Sequence, residues 1–140
     1  MNKMNIKINL RAWDKKAKRF LSNSETLKIL LAESEGVLSE KDMERYDIEQ
    51  HIGIPDVNYN DLYAGDIVLY HDFTNFYSSD ILGVISFADG SWGIYNENRP
   101  FNPFVPFPFS EVMCFTSKKL KKLGNIHQNP EMIEVKNESV

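Results

Sequence analysis

Apolar and polar side chains alternate from Ile6 to Trp13, with Ile6, Ile8, Leu10 and Ala12 on one side and Lys7, Asn9 and Arg11 on the other. A period of two is the mark of a half-buried strand. Asp14–Arg19 is polar and reads as a turn, after which Phe20 and Leu21 return as the second strand of a hairpin. From Ser24 the period changes. Ser24 and Glu25 form a cap, Leu27, Leu30 and Leu31 follow at helical spacing, and Gly36 lies beyond Glu35, which together predict a short amphipathic helix. Ser39 ahead of Glu40 and Asp42 starts a second one, its acids suiting a positive helix end. Tyr46–Ile52 alternates again and predicts a strand. Gly53–Asp61, with Pro55 and several Asn and Asp residues, reads as a connection between subdomains.

Beyond that connection the apolar runs are short and separated by turn residues. Asp66–Tyr70, Ile81–Phe87 and Trp92–Tyr95 are predicted strands, with Asp89-Gly90 the clearest hairpin turn. Strands at this spacing predict a small barrel or a strongly bent sheet. Pro100, Pro103, Pro106 and Pro108 then alternate with Phe101, Phe104, Phe107 and Phe109, which excludes a helix or a central strand and leaves an extended aromatic strap. Val112–Phe115 is a further strand, Lys118–Lys122 a solvated turn or helix face, and Asn129-Pro130-Glu131 a short helix start. The pattern divides the chain into a mixed α+β subdomain over residues 1–56, a β-rich small barrel over 57–134 and a polar, frayed tail over 135–140.

Composition narrows the classes without naming a chemistry. The chain has 140 residues, 42% of them hydrophobic and 12% aromatic, enough for a core and unlike a disordered chain. No run approaches the roughly 18 apolar residues of a membrane span, and the start lacks an apolar signal core, so a cytoplasmic protein is expected. Cys114 is the single cysteine and sits in an apolar run, which makes it a buried thiol with no internal disulfide partner. Charge is uneven. Residues 1–20 hold seven basic side chains against one acidic, whereas residues 21–66 hold three against eleven. The net charge of −4 weakens non-specific attraction to phosphate, so the basic start is read first as a solvated arm or one that pairs with acidic surface.

The candidate chemistry has a plainer reading at each position. Asp14, Asp66 and Asp89 could converge on a divalent cation, but each sits where Asp builds turns. His51, His71 and His127 are far apart and lack metal-ligand spacing, so no metal or other cofactor is expected. Trp13, Trp92, Tyr63, Tyr70 and Tyr95 could line a groove that stacks bases or takes a Pro-rich peptide, against the commoner use of large aromatics in packing. Lys118, Lys119, Lys121 and Lys122 are the candidate contacts to nucleic acid. Phe101, Phe104, Phe107 and Phe109 are the candidate interaction surface, because each ring is worth roughly 1.5–3 kcal/mol when buried and the strap must cover either its own sheet edge or a neighbour.

Arg11-Ala12-Trp13-Asp14, Gly53…Asp56…Leu62-Tyr63-Ala64-Gly65-Asp66-Ile67-Val68, Gly83-Val84-Ile85…Asp89-Gly90-Ser91-Trp92-Gly93 and Leu123-Gly124-Asn125-Ile126-His127-Gln128-Asn129-Pro130-Glu131-Met132 stand in one order along nearly the whole chain. This constellation resembles the YopX family of phage and prophage proteins. The chain departs from the family pattern at Ala64, Ile52 and His127-Gln128 and carries a long, apolar stretch at residues 24–45. The resemblance implies an α+β N-terminal part, a C-terminal part similar to an SH3-like barrel, a bacterial host cytoplasm and no catalytic residue to carry over. The expected function is therefore that of a non-enzymatic accessory protein acting through protein contacts with a host or phage protein or with further copies of itself. The alternative is a nucleic-acid-binding module that uses the barrel aromatics and the basic segments.

Overall fold

The computed structural model describes residues 9–70, 80–99, 101–107 and 120–134. Val112–Phe115, Cys114, His71, Phe109, Lys118, Lys119 and the tail lie outside them. Contacts divide the chain into two units, Met1–His51 and Ile52–Val140, and the strand Tyr46–Pro55 runs from one into the other. The described elements are β-rich with few helices, as the alternating patterns require.

In the first unit, β1 (Leu10–Asp14) pairs antiparallel with β2 (Arg19–Phe20), and on its other side with β3 (Tyr46–Pro55). The pairing of Trp13 with Phe20 brings their rings edge to face, 4.9 Å apart. Arg11 lies 4.5 Å above the Phe20 ring and its Nε donates to Glu49 Oε1 at 2.9 Å, so a charged side chain completes a packed surface instead of standing in water. The helix α1 (Asn23–Ser34) starts two residues earlier than the pattern implies, because Ser22 and not Ser24 is the cap. Ser22 and Glu25 are three apart, the spacing at which each side chain can satisfy the other's backbone N–H. Only Thr26 of α1 is buried, while Leu27 and Leu31 remain exposed. A second capping box, Ser39 with Asp42, opens the four-residue α2 (Glu40–Met43).

In the second unit, β3 extends to Pro55 through Gly53, where the pattern predicts a connection; the turn itself spans residues 56–60 and leads to β4 (Asp61–Tyr63). A five-stranded antiparallel sheet follows in the order β8-β7-β6-β5-β9, made by β5 (Asp66–Tyr70), β6 (Ile81–Ala88), β7 (Ser91–Tyr95), β8 (Phe104–Pro106) and β9 (Leu120–Asn125). Asp89 and Gly90 both have positive φ between β6 and β7, the requirement of a two-residue turn whose twist matches its strands. Lys121 and Lys122 lie on β9, a strand and not the turn or helix face expected of them; pairing with β5, more than fifty residues away, sets their conformation. The core joins Val68, Tyr70, Ile85, Ile94, Phe107 and Leu120 with Ile54 and Leu62. A short 3-10 helix, Pro130–Ile133, ends the described chain. Asn129, expected to cap it, instead accepts the Asn125 N–H on Oδ1.

Candidate functional site

The aromatic strap divides by residue. Phe107 is buried in the core, and its N–H donates to the Trp92 carbonyl of the neighbouring β7 at 2.9 Å. Phe104, half-buried, stands opposite Tyr95 on the neighbouring strand. Phe101 is wholly exposed and holds φ at +67°, a left-handed backbone that a bulky side chain rarely adopts. The loop that carries it is closed at its base by the Asn96 N–H donating to the Pro103 carbonyl. Asn96 also fixes the loop through its side chain: Oδ1 accepts the Asn98 N–H and Nδ2 donates to the Leu82 carbonyl, each at 2.9 Å.

Beside this loop lies a cavity of about 170 Å³ lined by Val84, Tyr95, Asn96, Glu97 and Ile133. Its apolar wall follows from register. Val84 pairs with Tyr95, so both project from one face of the sheet, and Ile133 reaches that face from the 3-10 helix. Asn98 Nδ2 donates to the Glu134 carbonyl at 3.2 Å and ties the end of that helix to the loop. Glu97 is exposed at the cavity, and Arg99, half-exposed, lies two residues before Phe101 in the same loop. Sequence reasoning found Phe101 but neither the cavity nor the pair of opposite charges, since no local pattern links Val84, Tyr95 and Ile133.

The carboxylates are occupied with structure. Asp14 is buried and accepts the N–H groups of Lys16 and Ala17 at 3.0 Å, while Arg45 grips both its oxygens at 2.8 and 2.7 Å. Arg45 holds the Asp14 carboxyl well below the usual carboxylate range, overriding the upward push of burial. Burial pushes Asp56 up as well, but the N–H groups of Lys122, Asn60 and Asn58, with the Asn60 side chain, together hold it below the usual value. Asp66 accepts the Tyr63 N–H at 2.8 Å, and Lys122 Nζ lies 3.4 Å from the same oxygen. Asp89 is the turn residue already described.

Among the described residues, no group of three or more His, Cys, Asp or Glu side chains is placed to hold a metal ion. Of the candidate lysines, Lys122 is thus tied to Asp66 by its side chain and to Asp56 by its backbone, whereas Lys121 is exposed. The candidate aromatics serve separate places. Trp13 packs on Phe20, Tyr70 is in the second unit's core, Trp92 meets Phe87 edge to face at 5.2 Å, Tyr63 is half-buried, and Tyr95 lines the cavity. No described helix is long and apolar enough to cross a membrane.

The family described as YopX protein matches residues 9–134, nearly all of the chain. None of the curated proteins matches it. Among solved structures, the crystal structure of protein EF1440 from Enterococcus faecalis is similar, with a TM-score of 0.51 at 20% identity over 90% of this chain and 97% of that one. At that identity the likeness concerns the fold alone. The chain belongs to the YopX family.

Proposed function

We propose that this YopX-family protein is a non-enzymatic accessory protein of a bacteriophage or prophage that works in the bacterial cytoplasm by binding proteins, further copies of itself among them. Phe101 carries this reading: a whole aromatic ring stands in water on a loop braced by Asn96, in a backbone conformation unfavourable to it. Strain of this kind gathers where a side chain must be presented to a partner, and aromatic rings are the usual anchors of protein interfaces. The second unit is read as an SH3-like barrel, supported by short antiparallel strands and a register shift between Ile67 and Val68 that bends the sheet. Asp14 and Asp56 support a scaffold role, as Oδ1 of each accepts two turn N–H groups and the second oxygen of each is held by Arg45 or by Asn60 and Lys122.

The test is affinity capture from prophage-induced bacterial cells with the full chain and with Phe101→Asn, an exchange that tolerates left-handed backbone. Proteins retained by the wild type and lost by the variant are expected. Equal recovery by both sinks the reading. Gel shifts across a salt series separate the nucleic-acid alternative, which requires binding that weakens as salt rises; no shift is expected.

A further inference from the structure

We infer that two copies of this chain join through a reciprocal contact in which Phe101 of each enters the cavity lined by Val84, Tyr95 and Ile133 of the other. The inference rests on the protein-contact reading and names the partner. The cavity, at about 170 Å³, matches a phenyl ring, since about 150 Å³ of apolar cavity is enough to hold benzene. Its own Phe101 is wholly exposed and so does not fill it.

Charge complementarity points to a second copy rather than an unrelated partner. Glu97 rims the cavity and Arg99 flanks Phe101, and neither takes part in an ion pair among the described residues. A ring that enters a neighbour's cavity carries Arg99 toward that neighbour's Glu97. Ring, cavity and both charges belong to one loop and the sheet face beside it, so a single two-fold contact can satisfy two rings and two ion pairs together. The rings would supply most of the affinity, and the charges would set orientation.

Sedimentation of the full chain over a concentration series tests this. The wild type is expected to dimerise reversibly, and Phe101→Asn to raise the dissociation constant by about tenfold or more. Val84→Phe, which fills the cavity from within, is expected to do the same. Because that variant also alters packing, charge reversal provides an independent check: Glu97→Arg and Arg99→Glu should each weaken the dimer, and the two combined should restore it. A wild type that stays monomeric throughout, a Phe101→Asn variant that dimerises unchanged, or a combined reversal that fails to recover would each overturn the proposal. Monomeric behaviour with Phe101-dependent capture of another protein would leave the protein-contact reading standing while removing the self-contact.

Discussion

A methyl group added at Gly93 would meet the Val105 carbonyl oxygen of the adjacent strand and, at 2.7 Å, the Phe104 ring. Backbone cannot yield there without breaking the β7–β8 pairing, so Gly93→Ala is expected to cost about 1–3 kcal/mol in chemical denaturation. Asp14 shows a different dependence. Its carboxyl titrates well below an unfolded Asp, so the stabilisation from Arg45 is complete above the ordinary carboxylate range and drains as pH falls below about 4. Asp14→Asn should lose about 2 kcal/mol at neutral pH and show a shallower decline of melting temperature with acid. The Asp residues at turns were readable from sequence as turn formers. Arg45 as the partner of Asp14 was not, because thirty-one positions separate them and only the β1–β3 pairing brings them together.

At the scale of elements, the first helix rests on its start. Glu25 is drawn down to about 2, first by hydrogen bonds from Arg19 and then by the Ser22 N–H. Its contribution is present above the unfolded value and is lost as pH falls from about 4.5 toward 2, so helical circular dichroism should decline over that window and Glu25→Gln should remove the decline. Ser22→Ala should cost about 1 kcal/mol of unfolding free energy. Both helices, the first hairpin and the Asp89-Gly90 turn were legible, because caps, periodicity and turn residues act within a few positions. The strand character of Lys121 and Lys122 was hidden, since their conformation comes from β5 and not from their neighbours. Gly53 misled in the opposite direction: a turn-forming residue with φ of +90° is accommodated inside β3.

Across the whole molecule, the second unit's stability is concentrated in a small set of fully buried side chains. Ile85→Ala should lose about 2–5 kcal/mol, measured by urea unfolding, because Ile85 is fully buried in the core cluster, opposite Ile94 on the next strand, and the packed side chains cannot all close the gap. Family membership was legible from four separated motifs, yet the place where a partner would sit was not, as its walls come from β6, β7 and the last helix. The strap's prolines have a separate consequence. The Phe107 N–H faces β7, so by strand alternation the nitrogen of Pro106 faces outward, where it offers no donor. A strand added at that margin would find no donor at Pro106, so a regular hydrogen-bonded ladder there is disfavoured. Crowded copies of this protein are thereby steered away from fibril growth along β8.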